Sequence, residues 1–112
     1  MTLHAQAKKF IQDTASLPPS HTLDPVELRK IAAGTVISDT FELASVHDRS
    51  IEGPYGDLPL RIYRPEREGA LPVIVFYHGG GFVICDVQKY DPMCRMLAAV
   101  TRCAVVSVDY RL

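Results

Sequence analysis

The sequence predicts an α/β fold, and three consecutive stretches carry that prediction. Val73-Ile74-Val75-Phe76-Tyr77 and Ala104-Val105-Val106-Ser107-Val108 are apolar runs of strand length, the pattern of strands buried on both faces. Between them, Asp91-Pro92 offers a helix cap followed by a first-turn proline. Tyr90, Met93, Cys94, Leu97 and Val100 then recur at spacings that place most of them on one helical face. Strand, helix, strand is a parallel βαβ crossover, right-handed because the twist of the sheet favours that connection.

The upstream elements follow from local pattern. Leu3, Ala7, Phe10 and Ile11 share a helical face opposite Lys8, Lys9, Gln12 and Asp13, and Pro18-Pro19 stops the helix. A second helix begins with Asp24 as cap, Pro25 at the first position and Glu27 as the capping-box acid, burying Leu28, Ile31, Ala32 and Thr35. Both stripes are narrow and need something to cover, which leaves plain packing and a lid over a site as open readings. From residue 41 to 52 the period changes toward an extended segment, with His47, Arg49 and Ile51 opposite Val46, Asp48 and Ser50. Gly53-Pro54-Tyr55-Gly56-Asp57 reads as a turn. It leads to Leu58, Leu60 and Ile62 on one face and Arg61 and Tyr63 on the other, an antiparallel pair at a sheet edge. Pro65 to Gly69 is a solvated connector.

With 112 residues, 47% hydrophobic and 22% charged, and a formal net charge of -1, the composition is that of a soluble globular chain with no affinity for nucleic acid. No apolar run reaches the roughly 20 residues of a membrane span, and the opening residues lack a secretory apolar core, so a cytoplasmic location is the default. Cys85, Cys94 and Cys103 form no close pair and read as reduced. His4, His21, His47 and His78 are scattered without ligand spacing, which implies no metal. A parallel sheet needs helices on both faces, and a buried strand at 104–108 left last would expose unpaired backbone. The expectation is that further chain is required for a stable native fold, and that a polypeptide ending at Leu112 is incomplete.

The chemistry concentrates at His78-Gly79-Gly80-Gly81-Phe82, directly after the first buried run. Three adjacent glycines make a poor core and cost backbone entropy, but they suit a sharp turn that brings N–H groups close to another molecule. Two converging N–H groups can stabilise the oxyanion of a tetrahedral acyl intermediate by several kcal/mol, about 3 for one donor. Composition and placement leave this reading and a glycine turn serving tight packing both open. Dinucleotide binding fits poorly, because Ile84 stands where the third glycine belongs, and the lysine and hydroxyl of a phosphate loop are absent.

Together, Tyr77-His78-Gly79-Gly80-Gly81-Phe82, the Asp86 to Asp91 segment and Val108-Asp109-Tyr110-Arg111-Leu112 resemble the hormone-sensitive-lipase-like family of α/β-hydrolase carboxylesterases. The resemblance implies that residues 46–112 are the N-terminal part of an α/β-hydrolase sheet and residues 1–45 an N-terminal helical cap. It further implies that Gly80 and Gly81 donate backbone N–H groups to an oxyanion hole, that Gly79 permits the turn, and that His78 organises the loop rather than acting as base. Phe82 is either a pocket residue or a buried wedge. Asp91 reads as a helix cap, and Asp109 and Arg111 as structural positions that fix turns through charge-assisted bonds. Many relatives carry glycine at the place of Cys85 and histidine at that of Tyr90; Cys85 restricts the loop or simply packs, and Tyr90 narrows the pocket mouth.

The family mechanism needs a serine on a Gly-x-Ser-x-Gly elbow followed by an acid and a histidine. Ser16, Ser20, Ser38, Ser45, Ser50 and Ser107 all lack that context, so this segment alone is not expected to hydrolyse esters. The resemblance therefore implies a carboxylesterase when complete, acting on a small acyl ester without a cofactor and requiring a remaining C-terminal hydrolase segment. The other readings are a catalytically inactive ligand receptor or interaction domain on the same fold, or another acyl hydrolase such as a lactonase, amidase or deacetylase. Acyl-chain preference and oligomeric state are not legible in these residues.

Overall fold

The computed structural model describes residues 3–33 and 41–112, so the expected place of Thr35 on the second helix lies outside the described residues. Among them the order is α1 (Ala5–Thr14), a short 3-10 turn, α2 (Pro25–Ala33), β1 (Ser45–Gly53), β2 (Gly56–Arg64), β3 (Val73–Tyr77), α3 (Asp91–Thr101) and β4 (Ala104–Val108). The strands form one sheet in the order β1-β2-β4-β3. β1 and β2 are the expected antiparallel hairpin, closed by Pro54-Tyr55 with Gly53 opposite Gly56, and β1 is an edge of the sheet.

The parallel crossover is present, with Tyr77 paired to Val108. Its second strand is not left bare as expected. β4 inserts between β2 and β3 and has neighbours on both sides, so the uncovered parallel edge is β3. The hairpin supplies that partner, since β2 runs antiparallel to β4 from Leu60 opposite Val108 to Tyr63 opposite Val105.

One face of the sheet is built as rows across the strands. Tyr63, Val105 and Ile74 form one row and Arg61, Ser107 and Phe76 the next. Against them α3 lays Cys94 and Ala98, and Tyr63, Cys94, Ala98 and Val105 are all fully buried. The expected helix stripe is partly corrected here. Met93 and Val100 are exposed, because at 100° per residue they lie roughly 100–120° round the helix from Cys94, and Ala98 takes the inward place.

The opposite face has no helix among the described residues. Val73, Val75 and Tyr77 stay more than half exposed, so β3 is covered on one face and not on two as its apolar run predicts. The pleat sends alternate side chains to opposite faces, and only the α3 side has something to bury them. The stripe on α1 is uncovered as well, Phe10 being 68% exposed, while Leu28 and Ala32 of α2 are half-buried. The radius of gyration is 16.9 Å. A compact domain of this length has about 13 Å.

A charged hub fixes α3 to the sheet. The Asp91 carboxylate accepts from Tyr63 Oη at 2.9 Å, Arg61 at 3.1 Å and Arg95 Nε at 2.6 Å. Arg61 also grips Asp48 of β1 through two bonds of 2.6 and 3.0 Å and donates to Gln88. Asp91 is therefore not the expected cap. It is the first residue inside α3, Tyr90 precedes it without a side-chain capping bond, and three side-chain donors draw the carboxylate toward the sheet. Burial alone would raise the Asp91 carboxyl, but the bonds from Arg95, Tyr63 and Arg61 outweigh it and hold it below the usual range. Burial, and then the bond to Asp91, pushes the Tyr63 phenol well up, so it remains a donor.

Two outcomes are expected from this arrangement. Asp91→Ala leaves Arg61 and Tyr63 facing a buried gap and should destabilise the folded protein by about 3 kcal/mol in denaturant unfolding. A carboxyl depressed on folding stabilises above its unfolded value and loses that stabilisation as pH falls through the folded one. The parent should therefore lose stability below about pH 4, and the variant should show a shallower acid limb. A polypeptide of residues 1–112 by itself should self-associate through the β3 edge and bare sheet face; a monodisperse species on size exclusion with strong hydrogen-exchange protection at 73–77 would contradict this.

Candidate active site

The parallel register carries the two distinctive sequence segments to one place. Since Tyr77 lies beside Val108, the chain leaves β3 into His78-Gly79-Gly80-Gly81 while the neighbouring strand leaves β4 into Asp109-Tyr110-Arg111. Both therefore sit at the carboxyl ends of adjacent parallel strands, the position at which open α/β sheets bind ligands. A bond of 3.0 Å from Asp109 N–H to Pro59 O ties the β4 exit to β2.

The glycine loop has a geometry that side chains cannot follow. Gly80 has φ +133°, and a Cβ there would lie 2.0 Å from Ile84 O, which backbone cannot tolerate. The Gly80 carbonyl accepts from both Val83 N–H and Ile84 N–H at 3.1 Å, closing a tight turn around it. Gly81 follows at φ +62° with open space where a Cβ would be. Among the described residues, neither the Gly80 nor the Gly81 N–H donates to a protein acceptor. Two strained non-glycine residues follow, Phe82 at φ 60° and Cys85 at φ 72°. The left-handed conformation costs a residue with a β-carbon about 1–2 kcal/mol.

His78 is 3% exposed and holds the base of the loop. Its Nδ1 lies 2.9 Å from Gly79 O, which requires Nδ1 to carry the proton. Tyr110 stacks on the imidazole at 4.2 Å and 14°, approaches Nδ1 at 3.2 Å and donates its hydroxyl hydrogen to His78 O. His78 Nε2 is buried without a hydrogen-bond partner among the described residues.

The remaining expected residues divide. Phe82 is 75% exposed at the rim of a cleft of about 650 Å³, edge-on to Tyr110 at 5.8 Å, so it is no buried wedge. Tyr90 does not narrow the mouth of that cleft. It packs behind the loop between Phe76 and His78, and its hydroxyl would sit 2.9 Å from a Cβ on Gly79. Asp109 and Arg111 have no ion-pair or side-chain hydrogen-bond partner among the described residues, so the expected charge-assisted bonds are not formed there. Asp109 anchors through its backbone N–H, and the Arg111 guanidinium lies 5.2 Å over the ring of Tyr55 in the hairpin turn. Tyr110 is the residue that sequence reasoning left without a role. Its place follows from the register of β3 beside β4, which the tertiary structure sets.

On the other side of the loop, Arg29 Nε of α2 donates to Val83 O at 2.7 Å. It is one lip of a second cleft of about 450 Å³ between α2 and the segment that includes Cys85 and Asp86.

Comparison with known proteins bears on the fold. Residues 74–112 match a family described as alpha/beta hydrolase fold. The carboxylic ester hydrolase LipN of Mycobacterium tuberculosis is 48% identical over 67 residues, which is 60% of this chain and 18% of that protein. An acetyl esterase of Salmonella is 35% identical over 63 residues, 56% of this chain and 19% of that one. Among solved structures, a hyperthermophilic esterase from the archaeon Pyrobaculum calidifontis superposes with a TM-score of 0.84 at 33% identity, covering 100% of this chain and 37% of the esterase. An ester hydrolase from the metagenome of Lake Arreo, complexed with a bipyridine phosphonate derivative, gives 0.83 at 36% identity, covering 99% and 38%. The chain thus spans under two fifths of the length of the esterases it matches. It has the N-terminal strands of an α/β-hydrolase fold, and its glycine-loop segment is similar to the hormone-sensitive-lipase-like carboxylesterases.

Proposed function

We propose that this chain supplies the oxyanion-stabilising loop of a serine carboxylesterase acting on small acyl esters. The observation that carries the reading is the pair of N–H groups on Gly80 and Gly81, without acceptors among the described residues and held at the carboxyl end of β3 in a turn whose Gly80 admits no side chain. The esterases named above supply the chemical class.

In the whole enzyme a serine, an acid and a histidine come from the remaining hydrolase segment. The serine attacks the ester carbonyl carbon, and histidine takes its proton. The carbonyl oxygen becomes an oxyanion that accepts from Gly80 and Gly81 N–H. On collapse histidine passes that proton to the departing alkoxide, which leaves as the alcohol, and a water activated by the same histidine then cleaves the acyl-enzyme to release the carboxylic acid and the serine. Preorganised donors are effective because they need no reorientation as the charge develops. We read Phe82, at the rim of the cleft, as the residue that meets the acyl group, and the segment 1–45 as the cap; the bond from Arg29 of α2 to Val83 O ties the described part of that segment to the glycine loop.

The test uses the full enzyme. Proline at Gly80 or Gly81 deletes the N–H and should lower the rate on a short nitrophenyl ester by at least roughly 100-fold. Thermal unfolding and a variant structure separate that loss from misfolding. A correctly folded Gly80→Pro or Gly81→Pro enzyme with near-parent rates would return the glycine to the role of a turn residue.

A further inference from the structure

We infer that Tyr110 is a positioning residue for the oxyanion loop, acting through His78 on the peptide that joins Gly79 to Gly80. The inference rests on the proposed esterase reading and assigns a role to a side chain that, among the described residues, makes no hydrogen bond to the proposed donors.

The chain of contacts is continuous. The Tyr110 hydroxyl donates to His78 O and approaches His78 Nδ1, while its ring stacks on the imidazole. Tyr110 thus fixes both the backbone and the ring plane of His78. The fixed imidazole then presents Nδ1–H to Gly79 O. That oxygen belongs to the same peptide unit as the Gly80 N–H. The Gly79-Gly80 peptide is trans, so the carbonyl and the N–H of that unit point in opposite directions. Holding Gly79 O toward the imidazole therefore aims Gly80 N–H away from it.

Glycine residues flanking a peptide offer little resistance to its rotation, because no β-carbon restricts the torsions on either side. The Gly79-Gly80 unit is such a peptide. On the Gly80 side the enclosing turn fixes the residue through Val83 and Ile84, but the Gly79 carbonyl has His78 as its hydrogen-bond partner among the described residues. A bond accepted by a carbonyl also polarises its own N–H, strengthening it as a donor. Loss of the Tyr110 hydroxyl loosens His78, lets the Gly79 carbonyl swing, and misdirects one donor without removing it.

A second observation sets the direction of the network. His78 Nε2 is buried and has no hydrogen-bond partner among the described residues, so within them the ring is held by its Nδ1 side alone. Orientation of the imidazole depends on Tyr110 and Gly79, with Tyr90 packing at 5.9 Å on the ring.

The experiment compares full-length Tyr110→Phe with the parent on a short nitrophenyl ester. The expected result is a fall in kcat of about tenfold with KM unchanged, and an equal loss of affinity for a trifluoromethyl ketone that forms a tetrahedral adduct with the serine. Tyr63→Phe serves as the stability control, because it deletes a buried hydroxyl of the Asp91 hub and should lower Tm while leaving kcat as in the parent. A second variant carries 3,5-difluorotyrosine at 110, which keeps the shape and ionises below the ordinary tyrosine value of about 10. As its phenol loses the proton it can no longer donate to His78 O, so kcat should gain a descending limb at that pH which the parent lacks. Retention of kcat within twofold in Tyr110→Phe, or absence of the new limb in the fluorinated enzyme, overturns the assignment. If Gly80→Pro abolishes turnover while Tyr110→Phe leaves it intact, this inference fails and the esterase reading stands. If the full-length parent itself does not hydrolyse the ester, the esterase reading fails, whereas a folded Gly80→Pro enzyme with near-parent turnover removes only the donor assigned to Gly80.

Discussion

The parallel pairing of β3 with β4 determines where chemistry can occur in this chain. Its register, Tyr77 beside Val108, releases two loops from adjacent strand ends. One loop presents unpaired backbone donors, and the other sends Tyr110 beneath them. A slip of one residue would turn every side chain of β4 to the opposite face and take Val105 and Ser107 away from α3. The register is held by burial, since Val105 and Tyr63 fill the same row under Cys94 and Ala98. Packing on one face of the sheet thus sets the geometry at its end.

Charge reinforces the same arrangement from the other side. Asp91 joins α3 to β2 through Arg61 and Tyr63, and Arg61 carries the connection on to Asp48 in β1. The carboxylate is nearly buried, and its three donors offset the desolvation that would otherwise neutralise it. Because α3 follows the glycine loop within a few residues, the hub also limits where the loop can end. Tyr90, one residue before it, is pressed against Gly79 and His78, so the sheet, the helix and the loop share one wall.

The loop itself combines softness and constraint. Gly80 is confined by Ile84 O, whereas Gly81 has open space, and two residues with β-carbons, Phe82 and Cys85, occupy left-handed conformations. Such strain persists where surrounding bonds over-determine the backbone, and here those bonds are the paired N–H groups of Val83 and Ile84 on one carbonyl. The positive φ of Cys85 is a conformation that glycine adopts without the cost a β-carbon imposes.

By itself, the sequence determined the elements and the place of the candidate site. Alternation, apolar runs and the Gly53 to Gly56 turn gave the hairpin, the crossover and their approximate ends, because periodicity and turn conformation are local properties. The run of glycines marked the loop for the same reason. Tertiary structure decided what each residue met there. It moved Asp91 from a cap to an ionic hub, left Asp109 and Arg111 without the expected charged partners, and exposed Met93, Val100 and alternate residues of β3. It also gave Tyr110 a place under His78. Those outcomes depend on which strand lies next to which, and β4 entering between β2 and β3 is a long-range choice that no local period encodes.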